Sequence, residues 1–202
     1  MLDTALDARS RRRERTRAEI LQAAWELCRE QGLATLSLRD LAARVGMRAP
    51  SLYSYFESKD AIYDAMFAQG QRALLASQAG LTDLPRTRAG LLQGALEFFD
   101  FCVSDPVRYQ LMFQRVIPGF APSPESYALA VEVLGQFDAV LAELGLTDPA
   151  LRDLWTGLFA GLTAQQISND PGGERWARTV PLAVEMFADY VGIPTPDPEE
   201  TT

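Results

Sequence analysis

Apolar residues recur along this chain at intervals of three and four, and glycine or proline stands wherever the rhythm breaks. No segment alternates convincingly between apolar and polar, so the pattern predicts an all-α fold. Ile20, Ala24, Leu27 and Gln31 follow 4-3-4 spacing, joined by Leu21 and Cys28, which predicts a first helix from about Arg13 to Gln31 that Gly32 ends. Ser37 suits the N-cap of a short second helix, with Asp40 three residues on as an acidic form of the capping box. Leu38, Leu41, Ala42 and Val45 supply its buried side, and Gly46 closes it. The stretch "PSLYSYF" predicts a third helix with Pro50 in its first turn. Ser58 caps a fourth, from Lys59 to about Gln78. Larger helices are predicted over 85–103, 106–115, 124–144, 148–169 and 174–191, separated by breaks such as Asp148-Pro149 and Pro171-Gly172-Gly173. The Pro-rich, acidic end is expected to be a disordered tail over 195–202.

The third helix has an unusual outer face. At 100° per residue, Leu52 and Phe56 point inward, Pro50, Ser51 and Ser54 point outward, and Tyr53 and Tyr55 lie on the flanks. Two short helices joined by a tight Gly-containing turn, the second with a polar outer face, form the pattern of a helix-turn-helix. An α-helix fits the B-DNA major groove, where base edges present a readable set of donors and acceptors. A recognition helix must bury one face on its partner and keep small hydroxyl and aromatic groups free on the other. Leu52 and Phe56 meet the first demand, and Ser51, Tyr53, Ser54 and Tyr55 meet the second.

Composition narrows the function. With 202 residues and 48% hydrophobic content, the chain suffices for one domain, or for a small domain and a larger one. No apolar run approaches the roughly 20 residues of a membrane span. "MLDTALDARSRRRERTR" lacks the apolar centre of a signal peptide, so a cytoplasmic protein is expected. Cys28 and Cys102 each sit in an apolar helical pattern and are expected as buried free thiols. The chain has no histidine, which removes the commonest general base and the commonest metal ligand. No catalytic residue, metal or cofactor is expected. The net charge of −8 is uneven: residues 1–60 hold ten Arg and one Lys against nine acids, and the remainder holds eight basic residues against 18 acids. This is a basic head on an acidic body.

The stretch "LSLRDLAARVGMRAPSLYSYFESKDAIYDAMF", residues 36–67, closely resembles the DNA-binding signature of TetR-family transcriptional regulators. The likeness covers residues 13–67: a long first helix, the Leu-Ala…Gly turn, then Leu-Tyr-x-x-Phe and Ser-Lys. It implies an N-terminal arm and helix-turn-helix domain over 1–58 and a helical effector-binding and dimerisation domain over 59–194. Residue by residue, Arg39 matches a position that reaches base edges or nearby phosphates. Ala49, Pro50 and Ser51 match the groove-entering end of the recognition helix, Tyr53 and Tyr55 match phosphate-binding positions, and Lys59 matches a phosphate contact at the start of the fourth helix. Ser37 and Ser58 are helix caps first, with any phosphate contact additional. Arg48 replaces a frequent small polar residue, and its role stays open. Each position has a plainer rival: packing against neighbouring helices for Tyr53 and Tyr55, a surface pair with Asp40 or Glu57 for Arg39. The run "RSRRRERTR" reads equally as a solvated helix end and as a mobile arm near the DNA backbone.

The body is less specific. Phe98, Phe101, Cys102, Tyr109, Met112 and Phe113 correspond to helices that enclose an effector pocket in the family, although each also suits an ordinary core. Arg108 and Arg115 are the nearby cations, which favours a neutral or cationic effector over a polyanion. Trp155, Phe159, Leu162 and Gln166 form one stripe beside the small residues Gly157, Ala160 and Gly161. The resemblance implies that this stripe, with Met186 and Tyr190, meets a second copy; the rival is packing within the chain. The function so implied is a ligand-responsive regulator, a repressor that binds a palindromic DNA operator as a homodimer. Its rivals are a ligand-sequestering or protein-interaction module and, more remotely, a carboxylate-based enzyme.

Overall fold

Among the described residues, most helix boundaries coincide with a cap or a breaker in the chain. The computed structural model describes residues 2–80 and 83–195, with side chains from residue 8 onward. Helices α1 (Leu2–Gln31), α2 (Leu38–Arg44), α3 (Ala49–Leu52) and α4 (Lys59–Ser77) are followed by α5 (Arg88–Val103), α6 (Pro106–Phe113), α7 (Pro124–Glu143), α8 (Pro149–Asn169) and α9 (Val180–Val191). Short 3-10 turns cover Leu33–Thr35 and Ala177–Thr179. No strand occurs among the described residues, and none of their helices is long and apolar enough to cross a membrane. The tail expected over 195–202 lies, from residue 196 onward, outside the described residues.

Four boundaries differ from the sequence expectation by about three residues or more, each for a local reason. Helix α1 starts at Leu2, because Ala, Leu and Arg sustain a helix through 2–12 and nothing there breaks it. The run 9–17 is therefore helical. Helix α3 closes at Leu52, and residues 53–55 continue as a turn with tightened bonds, Ser54 N–H to Ser51 O at 3.2 Å and Tyr55 N–H to Leu52 O at 2.8 Å. Helix α5 starts three residues late because Thr87 takes the N-cap, its hydroxyl accepting from Gly90 N–H. A Cβ on Gly90 would lie 2.0 Å from the Pro85 carbonyl oxygen, so that close turn requires glycine. Helix α9 starts at Val180 because Gln166 organises the preceding loop: its amide donates to the carbonyls of Asp170 and Gly173, and its oxygen accepts from Trp176 N–H (3.0 Å) and Ala177 N–H (3.2 Å).

The chain divides into two compact units. One comprises Met1–Gly70 with Val107–Tyr127, the other Gln71–Pro106 with Ala128–Thr202. The sequence boundary at residue 58 thus falls inside the first unit. That unit buries Ile20, Ala24, Leu27 and Cys28 of α1, Leu41 of α2, Leu52, Phe56, and Ile62, Tyr63 and Met66 of α4. Arg44 braces α2 against α1 through a two-pronged pair with Glu30 (3.0 and 2.6 Å), which holds the Glu30 carboxyl below its ordinary range. Asp64 of α4 accepts from the backbone N–H of Ser123 (2.7 Å) and from the hydroxyls of Ser123 and Ser126, at the start of α7.

The second unit is built around Trp155, whose ring packs against Phe137, Phe159 and Phe187 at centroid distances of 5.4, 4.5 and 4.9 Å. Leu91, Phe99, Leu141 and Val184 complete its core. Arg88 fastens the start of α5 to the end of α9. Its guanidinium pairs with Glu185 and Asp189 at 2.6 Å each and donates to the Ile193 carbonyl at 2.9 and 2.6 Å. Cys28 and Cys102 are both buried, and neither takes part in a disulfide.

Candidate nucleic-acid interface

The turn that aims α3 is set by Gly46. Its φ of +68° lets Met47 N–H reach Ala42 O (2.8 Å) and Gly46 N–H reach Ala43 O (3.1 Å), a Schellman closure that ends α2 abruptly. At its other end α2 is capped by Ser37, whose hydroxyl accepts from Asp40 N–H at 3.4 Å. Arg48 occupies the N-cap of α3 in an extended conformation, makes no side-chain cap bond, and is exposed.

Helix α3 and its following turn separate two faces. Leu52 and Phe56 are buried; Pro50, Ser51, Tyr53 and Ser54 are exposed; Ala49 and Tyr55 are half-buried. Arg39 leaves 89% of its side chain in solvent and lies 3.5 Å from Asp40. The plainer rival is thus realised, but an exposed pair of this length holds the guanidinium only weakly. Lys59 is half-buried and donates to the Leu36 carbonyl at 3.3 Å, with its ammonium 5.5 Å from the centre of the Tyr63 ring. It therefore ties the start of α4 to the entry of α2. Ser58 caps α4 by accepting from Ala61 N–H at 3.1 Å.

Two residues of α1 reach the same segment and were not singled out from the sequence. Arg17 donates through Nη1 to the Tyr55 carbonyl, and its guanidinium lies over the Phe56 ring at 4.2 Å. Arg13 lies over the Tyr55 ring at 5.6 Å. A signal for them existed: Arg13 and Arg17 extend the stripe of Ile20, Ala24 and Leu27 upward at 4-3 spacing, so they lie on the inward face of α1. Behind the site, Tyr63 donates its hydroxyl to the Leu33 carbonyl, and burial pushes its pKa up to about 12. Burial likewise pushes the Cys28 thiol up to about 11, against smaller opposing effects of Arg29 and Lys59.

Residues 20–66 match the model of the family described as bacterial regulatory proteins, tetR family. The chain is a TetR-family transcriptional regulator. Among similar proteins, the HTH-type transcriptional regulator Rv1816 of Mycobacterium tuberculosis is 25% identical over 206 residues, spanning 88% of this chain and 83% of that one. The HTH-type transcriptional activator FasR of Mycolicibacterium smegmatis is 29% identical over 157 residues, 73% of this chain and 69% of that one. The regulatory protein SCO4313 shares the fold with a TM-score of 0.75 at 22% identity, over 89% of this chain and 98% of that one. FadR from Bacillus subtilis, solved in complex with stearoyl-CoA, shares it with a TM-score of 0.65 at 17% identity, over 84% and 96%.

Outside its DNA-binding segment, this TetR-family chain distributes the expected residues unevenly. Of the six effector candidates, Phe98, Phe101 and Cys102 belong to the second unit, with Cys102 buried and Phe98 packed against the core. Tyr109, Met112 and Phe113 belong to the first, the former two buried and Phe113 exposed. The stripe expected to meet a second copy needs correction. Trp155, Phe159 and Gln166 are buried, and Leu162 packs against the core of their own unit, because the aromatic cluster and the Gln166 loop bonds draw that face of α8 inward. Met186 and Tyr190 are 61% and 73% exposed and form, with Leu182 at 61%, an i, i+4, i+8 stripe along α9. On α8 the exposed face carries Leu154, Gly157, Ala160 and Gly161.

Proposed function

We propose that the protein is a cytoplasmic, ligand-responsive repressor that reads a palindromic DNA operator as a homodimer. The observation that carries this reading is the two-sided segment 49–56. It has Leu52 and Phe56 buried beneath an exposed row of Pro50, Ser51, Tyr53 and Ser54, with the Arg39 and Arg48 guanidiniums exposed beside it in sequence. In this reading Ala49, Pro50 and Ser51 enter the major groove, Arg39 reads a base edge, and Tyr53, Tyr55, Lys59 and the cap at Ser37 serve the phosphates. Two copies would present their recognition helices about 34 Å apart, one turn of DNA.

Dimerisation is assigned to α8 and α9 through the faces their own unit leaves open. Leu182, Met186 and Tyr190 supply the apolar contacts. Gly157 and Gly161, where an added Cβ would meet nothing within 4 Å, permit close helix approach. The effector is an apolar molecule with few polar groups. Phe98, Phe101 and Cys102 offer apolar walls, and Gln71 Oε1 and Thr163 Oγ1 of the same unit are buried without a hydrogen-bond partner among the described residues. Stearoyl-CoA belongs to FadR alone; the scarcity of cations near 98–115 favours a neutral or cationic effector here. The effector acts by binding the DNA-incompetent arrangement more tightly, since only differential affinity moves such an equilibrium.

The decisive experiment is retention of sheared source-genome DNA by the purified protein at near-physiological salt, followed by sequencing. Enrichment of one or a few palindromic promoter sites is expected, with affinity falling by roughly 10³–10⁵ between 50 and 200 mM salt if about 6–10 phosphates are contacted. Retention without sequence preference would refute operator reading. The similar FasR is named an activator, so a reporter driven by the enriched promoter, with and without the protein, decides the sign of regulation.

A further inference from the structure

We infer that Arg17 of α1 is a positioning residue for DNA reading: it holds the recognition segment at its exit and sets sequence discrimination without touching DNA. The inference rests on the DNA-binding reading and adds a residue that the helix-turn-helix signature does not include. Helix α3 is only four residues long, and its continuation through Tyr55 leaves carbonyls with no helical partner. Arg17 Nη1 donates to the last of these, the Tyr55 carbonyl, as a charge-assisted bond. The same guanidinium lies 4.2 Å from the centre of the Phe56 ring, the apolar anchor of the segment. One planar group thus grips backbone and side chain of adjacent residues, and a rotation of the segment would break both contacts together.

The chemistry requires arginine. A lysine has no flat face to lie on Phe56 while donating in plane to the Tyr55 carbonyl. Arg13, one turn earlier on the same stripe, lies over the Tyr55 ring and flanks the grip. Arg15, between them, faces away: it pairs with Glu19 at 3.1 Å and leaves 83% of its side chain exposed. Arg15 therefore carries the same charge in the same turn without reaching the recognition segment, which makes it the control.

The test compares wild type, Arg17→Lys, Arg17→Gln and Arg15→Gln on two duplexes of equal length and composition. One is the fragment that wild-type protein enriches from source-genome DNA, the other a shuffled version, each titrated from 50 to 200 mM salt. Both Arg17 variants are expected to lose tenfold or more of the specific affinity, change the shuffled duplex by less than about twofold, and keep the wild-type slope of log K against log salt. Arg15→Gln should preserve the ratio of the two affinities. If instead the slope drops by about 0.9 for each phosphate no longer neutralised and both duplexes weaken together, Arg17 is a phosphate contact and the proposal is wrong. An unchanged ratio in Arg17→Lys with intact far-UV CD would also overturn it. If wild type enriches no fragment, the operator-reading role itself fails first, an outcome distinct from any variant effect.

Discussion

In the proposed reading, Arg39 and Arg17 use one residue type at opposite ends of recognition. Among the described residues Arg39 has a long contact to its neighbour Asp40 and an 89% exposed side chain, and the proposed reading gives it a base edge. Arg39→Ala should lower operator affinity roughly tenfold to a hundredfold and relax preference at one base position per half-site, as seen by binding to single-base operator variants. Tyr63 offers a test at the same scale. Its folded-state pKa is raised to about 12, so folding favours the protonated phenol. Its contribution is intact below the unfolded value near 10 and declines as pH rises toward about 12. Denaturant melts across that window should show falling stability, with a phenolate absorbance step near 12 that is absent in Tyr63→Phe. The Leu33 carbonyl that accepts from Tyr63 closes the connection between α1 and α2, so this loss belongs to the frame behind the recognition segment.

At the scale of elements, caps were the most legible feature. Ser37 and Ser58 each stand where a side-chain acceptor meets a free N–H, a local relation that spacing reveals, and Asp148, expected only as a break, caps α8 in the same way. Long-range caps were not legible. Asp64 lies mid-helix in α4, yet it serves the first turn of α7, 59 residues away. Asp64→Ala should cost about 0.5–2 kcal/mol in thermal or denaturant unfolding and increase amide exchange at the start of α7, whereas Asp60→Ala, near the start of α4, should not affect α7. The same blindness hid the grip of Arg17. Its 3-4 register with Ile20 and Ala24 was on display, but arginine on a helix end reads as solvated until a carbonyl and a ring are found beneath it. Local bonding also explains the late start of α9: Gln166 is a core residue by register and a loop organiser by chemistry.

For the molecule as a whole, the main reversal concerns α8. Trp155, Phe159, Leu162 and Gln166 have the spacing of an interface stripe, and spacing alone does not distinguish a stripe facing its own core from one facing a second copy. The two cases separate on mutation. Met186→Arg with Tyr190→Arg should convert a dimer to a folded monomer in sedimentation velocity. Trp155→Ala should instead lower stability by about 3–5 kcal/mol, because it empties the centre of an aromatic cluster. If the Met186/Tyr190 pair leaves the dimer intact, the exposed α9 stripe is not the interface.

By itself the sequence determined the all-α class, most helix boundaries and the two-sided recognition segment, because periodicity, caps and breakers act within a few residues of themselves. The tertiary structure decided which face of α8 turns inward, how residues 59–70 of α4 and 107–127 group with the N-terminal helices, and what holds the end of the recognition segment. These depend on partners outside the local pattern, such as Phe187 for Trp155, Tyr55 for Arg17 and Ile193 for Arg88. No local pattern encodes such pairings, since a side chain's partner is chosen by packing of the whole unit.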